Sequence, residues 1–322
     1  MGTWRSVPRQ RLLQDQRTRR SCRRHPQRCT AVGIQLHHPC DRPQTGCDVK
    51  TSVIIVNYNT RDDLRACLSA LRQQTIPAEV IVVDNASTDG SAAMVREVFP
   101  EVRLIEPGHN TWFCRGNNLG IAQAAGEYAL LLNPDTVPPP NALETLIAFM
   151  DAHPEYAGAT LRLHYPDGQV QRTCSRIATY RYLLLTQTPL GWLLRAARRR
   201  AEDWHWYAGW ERDRDFDIEA IPGSCTLMRR ADLRLDEDLR LYFNEDDLAR
   251  RHAGQKFRFL AAPSVLHREK AATRTARASQ IYFQDLITYT RKHHGRARAV
   301  LLWLCSRPLA WAIQLRWRLR RA

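Results

Sequence analysis

The residues of this chain that could do chemistry stand at the ends of apolar runs. Tyr128-Ala-Leu-Leu-Leu132 passes directly into Asn133-Pro134-Asp135. Five apolar or aromatic residues without a break predict a strand buried on both faces, as in a parallel sheet covered by helices. Proline cannot continue a ladder and turns Asn133 away from helical geometry, so Asp135 is held just beyond the carboxyl end of that strand. Open α/β sheets bind ligands at that end. A carboxylate fixed there suits a hard divalent cation carrying a phosphate-bearing substrate.

Two earlier runs end alike. Ser52-Val-Ile-Ile-Val56 leads into Asn57-Tyr-Asn-Thr60, and Glu79-Val-Ile-Val-Val83 into Asp84-Asn-Ala-Ser-Thr-Asp-Gly90. In a parallel sheet such ends lie side by side, so Asn57, Asn59, Asp84, Asn85, Ser87 and Asp89 are expected to share one crevice with Asp135. Each cluster alone could be a helix cap. Three at successive strand ends point to a ligand. A fourth cluster, Tyr242-Phe-Asn-Glu-Asp-Asp-Leu248, puts Glu245, Asp246 and Asp247 in the first turn of a helix. The helix dipole favours acids there by only about 0.3–1 kcal/mol, too little to account for three in a row.

The elements that must position these groups alternate. A helix from Arg61 to Gln74 carries Leu64, Leu68 and Leu71 on one stripe, another starts at Ser91, and Val102–Ile105 is a strand. A loop from Glu106 to Arg115 then leads to a short helix at Gly116-Asn-Asn-Leu-Gly120. Beyond Asp135 come a helix Asn141–Asp151, a strand Ala157–Leu163 and a turn at Pro166-Asp-Gly168. An amphipathic helix Tyr180–Arg200 is followed by Trp204, Trp206, Tyr207 and Trp210, read either as an insertion tucked onto the core or as a flap over an acceptor. Pro222–Met228 is a strand with a small-residue entry, Phe257–Leu260 another, and Val265–His267 ends near the same crevice. This order predicts an α/β fold with a mostly parallel central sheet flanked by helices. One domain spans 51–270, and C-terminal helices fill 271–322.

Charge confirms where a partner is not. The formal charge of +15 lies wholly in the two ends: residues 1–50 hold eleven Lys/Arg against three acids, and residues 295–322 hold seven Arg and no acid. The body is neutral, and nothing suggests a nucleic-acid groove. The first fifty residues cannot bury enough apolar surface to fold alone, and are expected to be disordered or to precede the native start, since Val49 is an ordinary place to begin. Their Cys/His set has no CxxC pair, which argues against zinc. Nine cysteines without a secretory signal predict reduced thiols in the cytoplasm. From Arg296 onward, Trp and Leu alternate with Arg and are interrupted at Arg307-Pro308, too broken to span a bilayer. The segment is either packed on the domain or anchored at the inner, anionic face of the plasma membrane.

In order, Val53-Ile-Ile-Val-Asn-Tyr-Asn59, Val83-Asp-Asn-Ala-Ser-Thr-Asp-Gly-Ser91, Asn110 with Gly116-Asn-Asn-Leu-Gly120, and Leu132-Asn-Pro-Asp135 resemble the inverting glycosyltransferases of family two, most of all their rhamnosyltransferase-like branch. The resemblance runs from about Ser52 to His267. It implies a GT-A fold, a dTDP- or UDP-sugar donor, Mg2+ or Mn2+, and a saccharide or lipid-linked acceptor in bacterial cell-surface polysaccharide synthesis. It gives Asn57 and Asp84 contacts to the nucleoside, extends the nucleotide-side set to Asn110 and Asn118, and makes Asp135 the metal carboxylate, with Asn133 in the place of the family's first Asp. His267 is implied to contact diphosphate or metal. The general base falls on Glu245 in a gapless alignment to Leu248, with Asp247 as second acid, or on Asp246 when aligned from Phe243. One departure stands out: Trp112 occupies the position before Phe113 where the family has Gly. Two rivals remain, a nucleotidyltransferase, whose Gly- and Lys-rich first loop is absent, and an inactive, membrane-associated sugar-binding scaffold.

Overall fold

A computed structural model describes residues 49–269 and 275–319. The expectations placed on the basic N-terminal segment and its Cys/His set fall outside the described residues.

Strands β1 (Thr51–Asn57), β2 (Glu79–Asp84), β3 (Arg103–Ile105) and β4 (Tyr128–Leu132) run parallel in the order β3-β2-β1-β4. Because side chains alternate across a strand, the unbroken apolar runs feed two cores. Val53, Ile55, Leu130 and Leu132 pack with Leu64 and Leu68 of α1 (Arg61–Leu71), Met94 of α2 (Ser91–Val98) and Leu146 of α4 (Ala142–Ala152). Ile54, Ala129 and Leu131 belong to the opposite core, beneath α3 (Trp112–Gln123). Glycine lets α3 lie close: a Cβ at Gly120 would stand 2.5 Å from Ile54 Cγ2.

Beyond β4 the sheet continues through β8 (Cys225–Arg229), β6 (Tyr156–His164), β9 (Lys256–His267) and β5 (Thr136–Val137), with β7 (Phe216–Ile218) on β9. Here β8 runs antiparallel to both its neighbours, and β9 is parallel to β6 but antiparallel to β5 and β7. The parallel order predicted from strand–helix alternation therefore holds for the first four strands, and the whole sheet is mixed. An apolar run fixes burial but not direction, which the intervening connections decide.

Other differences have local causes. Helix α3 starts at Trp112, inside the predicted loop. The helix expected over Tyr180–Arg200 is three pieces, α5 (Tyr180–Thr186), α6 (Leu190–Leu193) and α7 (Arg195–His205): Pro189 breaks α5 from α6, and Leu194 leaves helical geometry between α6 and α7. Tyr207 and Trp210 are buried against Phe216 and Phe259, while Trp204 is exposed. After α8 (Asn244–Arg251) come α9 (Ala276–His294) and α10 (Arg296–Leu319), and α10 runs on through Pro308 where an interruption was expected. Among the described residues no helix is long and apolar enough to cross a membrane. The five described cysteines are free thiols.

Candidate active site

The paired ends of β1 and β2 form one polar network. Their register sets Asn57 opposite Asp84. Asn57 Nδ2 donates to Asp84 Oδ1 at 2.7 Å, and Ser87 donates to the same carboxylate through its hydroxyl (2.7 Å) and its backbone N–H (3.0 Å). Asn59, in the left-handed region at φ 54°, accepts from Thr88 N–H at 2.7 Å. Asp89 ties the network to α1 by accepting from Arg61 N–H at 2.9 Å. Burial pushes the Asp89 carboxyl up, but donors from Ser91 and Arg61 outweigh it and hold it below its ordinary value.

Asn85 anchors the next loop. Its Oδ1 accepts from Thr111 N–H and Oγ1, and its Nδ2 donates to Trp112 O at 3.1 Å. Asn110 Oδ1 accepts from Trp112 N–H at 2.8 Å. Between these holds Trp112 has φ 64°, the backbone conformation glycine adopts freely and a bulky L-residue adopts at about 1–2 kcal/mol. The loop thus keeps a glycine-like path although the residue is tryptophan, and the ring carries the Arg277 guanidinium 4.8 Å above it. Asn118 faces elsewhere: its amide donates to Leu235 O and accepts from Leu235 N–H, bracing α3 against the 235–237 loop.

Asp135 meets His267 because β5 pairs with the end of β9, Thr136 against His267. His267 Nε2 lies 3.3 Å from Asp135 Oδ1 and 3.4 Å from Asn133 Nδ2. Gln171, which the sequence reading did not single out, fixes the imidazole. Its Nε2 donates to His267 O at 2.7 Å, so its Oε1 faces His267 Nδ1 at 2.8 Å. An amide oxygen only accepts, which puts the ring proton on Nδ1 and turns Nε2 toward Asp135. Adjacent ligands of an octahedral ion bound at ~2.1 Å are ~3.0 Å apart, so the carboxylate and imidazole fit such an ion. Among the described residues no group of three or more His, Cys, Asp or Glu forms a metal cluster.

The acidic motif splits three ways. Phe243 enters α8 at φ 62°, and Asp285 of α9 holds the loop before it, accepting from the N–H groups of Arg240, Leu241 and Tyr242 at 3.2, 2.9 and 3.0 Å. Glu245 Oε1 accepts from Gly223 N–H at 3.2 Å, and desolvation raises its pKa. Asp246 turns away to accept from Ala178 N–H at 2.6 Å; desolvation first, then the Glu245 charge, pushes it up to about 7. Asp247 is fully buried. Its carboxylate takes Arg251, Lys292 and His293 at 2.8, 2.7 and 2.8 Å, and these outweigh desolvation to hold its pKa down. Asp135 and Glu245 are linked by a short path: Asn133 N–H donates to Ser224 O at 3.1 Å, and neighbouring Gly223 carries Glu245.

A parallel half ending in an Asn/Asp network is joined edge to edge to a mixed half that brings in a second carboxylate, an arrangement consistent with the expected GT-A type of fold. The chain belongs to glycosyl transferase family 2, whose sequence pattern matches residues 52–234. It is 26% identical over 285 residues to the N-acetylglucosaminyl-diphospho-decaprenol L-rhamnosyltransferase of Mycobacterium tuberculosis, covering 80% of this chain and 90% of that one. It is also 37% identical to the Escherichia coli glycosyltransferase YibD, over 30% of this chain and 29% of that one. Among solved structures, a mannosyltransferase from Pyrobaculum calidifontis in complex with GDP-Man and Mn2+ matches at TM-score 0.50 and 18% identity, over 83% of this chain and 74% of that one.

Proposed function

We propose that this glycosyltransferase moves a sugar, with inversion, from a nucleoside diphosphate donor to a lipid-linked saccharide, in the manner of a rhamnosyltransferase of cell-surface polysaccharide synthesis. The carrying observation is the path from Asn133 through Ser224 and Gly223 to Glu245, which brings a metal-side carboxylate and a desolvated carboxylate to one strand end. Asn57, Asn59, Asp84, Asn85 and Asp89 shape the nucleoside side, with Asn110 holding the donor loop. Asn118 contributes by fixing α3 rather than by touching donor.

Glu245 is the base. Its carboxylate takes the acceptor hydroxyl proton as that oxygen bonds the anomeric carbon, while the bond from that carbon to the diphosphate breaks on the opposite face. Desolvation makes Glu245 a stronger base than a carboxylate in water. Asp135 and His267, with Asn133 alongside, would hold Mg2+ or Mn2+, which supplies charge neutralisation to the leaving diphosphate. The relative's lipid-diphosphate substrate favours the lipid-linked acceptor. The exposed Trp and Leu of α10, with Arg and no acid beside them, favour contact with an anionic membrane at its cytoplasmic face.

The test is release of UDP or dTDP from a panel of nucleotide sugars with Mn2+ and a polyprenyl-diphosphate sugar. Transfer with inversion is expected, lost on adding EDTA and in Asp135→Ala. Wild-type turnover by Asp135→Ala in EDTA would sink the metal reading. Nucleotide binding without any turnover would favour the scaffold.

A further inference from the structure

We propose that the cleft between α9 and α10 binds the hydrocarbon chain of a polyisoprenoid-linked acceptor, an inference that rests on the lipid-linked acceptor proposed above. Helix α10 is apolar on two opposite sides. Ala299, Leu302 and Ser306 are buried on one. Val300, Leu304, Trp311 and Leu315, spaced to fall on a single stripe, lie on the other at 58%, 56%, 70% and 40% exposure. A surface helix ordinarily buries its apolar face and turns polar residues to solvent, whereas α10 also leaves large apolar side chains on its outer side.

Beside that stripe opens a cleft of about 870 Å3, within the range of roughly 300–1,000 Å3 typical of sites for small organic ligands. Its walls include Phe283 and Ile287 from α9 and Trp303, Pro308 and Trp311 from α10. Gln314 donates to Ala276 O at 3.1 Å, and Trp317 Nε1 donates to Ser279 Oγ at 3.2 Å, so the far end of α10 is tied to the first turn of α9. Pro308, with no N–H to return to the preceding turn, sits in the wall between them.

Charge selects the occupant. Residues 295–322 hold seven Arg and no acid, and Arg307, which also lines the cleft, stands with its guanidinium 4.8 Å from the Trp303 ring. A second copy of the chain would set arginine against arginine. A phosphate-bearing isoprenoid brings the opposite charge together with apolar surface. The cleft is also one helix away from the chemistry: on α9, Gln284 accepts from Arg240 Nη1 at 3.1 Å and Asp285 holds the three N–H groups of the loop leading to Glu245. Helix α9 is thus shared between the cleft and the loop that leads to Glu245.

The test is binding of a fluorescent polyprenyl phosphate in neutral detergent micelles to the full chain, which removes the bilayer as a variable. A Trp303→Ser, Trp311→Glu double variant alters two partly exposed side chains and is expected to keep the wild-type melting temperature. It is expected to weaken binding by roughly tenfold or more, whereas Leu304→Gln, on the stripe but outside the cleft wall, changes it by less than about twofold. Unchanged binding in the double variant, equal loss in Leu304→Gln, or a change of oligomeric state with the cleft variant would each overturn the proposal. Wild-type protein that binds this probe in the cleft but transfers no sugar to a polyprenyl-diphosphate acceptor would leave the cleft standing and remove the acceptor reading instead.

Discussion

Gln171 and His267 are joined twice, Gln171 Nε2 to His267 O at 2.7 Å and His267 Nδ1 to Gln171 Oε1 at 2.8 Å. Outer partners of this kind set the tautomer of a ligating imidazole and typically account for 10–100-fold in metal affinity. Gln171→Leu removes both bonds at similar volume. Mn2+ titration by electron paramagnetic resonance is expected to show binding weakened by about one to two orders of magnitude, with metal-free nucleotide binding unchanged. Wild-type Mn2+ affinity in this variant would mean that His267 is not a ligand.

Glu245 is expected to behave as the base. Glu245→Gln should lower kcat about 10²–10⁴-fold while donor KM changes little. Because desolvation raises its pKa and the ionised form is the active one, kcat rises as pH climbs through that raised value. A pH profile without this rising limb, or near-normal turnover by Glu245→Gln, would move the role to Asp246.

Asp246 and Asp247 sit side by side and predict opposite pH effects on stability. Asp246 is raised from 3.8 to about 7, so the folded state binds its proton more tightly than the unfolded chain does. That contribution is complete below pH 3.8 and is lost as pH rises through about 7. Asp246→Asn should therefore match wild type near pH 4 and melt higher at pH 8. Asp247 is held low by Arg251, Lys292 and His293, so its contribution is present above the ordinary carboxylate range and lost on acidification through its lowered folded value. Asp247→Asn should cost on the order of 2 kcal/mol at neutral pH and progressively less in acid. Thermal melts from pH 3 to 8 check both signs at once.

Asp285 positions the loop that leads to Glu245 by accepting three of its backbone N–H groups. Asp285→Ala leaves three backbone donors without their acceptor, at a cost of roughly 1–3 kcal/mol. The expected signature is a drop in kcat with donor KM nearly constant, partly restored in Asp285→Asn, whose amide oxygen can still accept. Equal losses in kcat and donor affinity would indicate general unfolding of the site.

Much of this was legible in the chain because strand cores and their polar ends are local signals. The buried runs at 51–57, 79–84 and 128–132 announce themselves by composition, and the Asn and Asp that follow them lie where the parallel ladder puts them. Helix breaks were harder: Pro189 cuts a helix that amphipathic spacing joined, and Pro308 leaves continuous a helix that it was expected to interrupt. Of the acidic trio, spacing could not say which member faces the crevice, because neighbours on a helix point about 100° apart and only the surroundings distinguish them.

The sequence by itself determined the first four strands, the Asn and Asp that close β1 and β2, Asp135 just beyond the end of β4, and the family resemblance. Tertiary structure decided the rest. It chose the direction of β8, brought His267 to Asp135 through a two-residue strand, assigned Gln171 to the imidazole and Asp285 to the loop, and divided Glu245, Asp246 and Asp247 among a glycine N–H, an alanine N–H and the side chains of Arg251, Lys292 and His293. Apart from Arg251, one helical turn from Asp247, those partners lie from 22 to 132 residues away along the chain. No local propensity encodes such pairings, which arise only when burial forces each polar group to find an acceptor or donor wherever the fold has placed one.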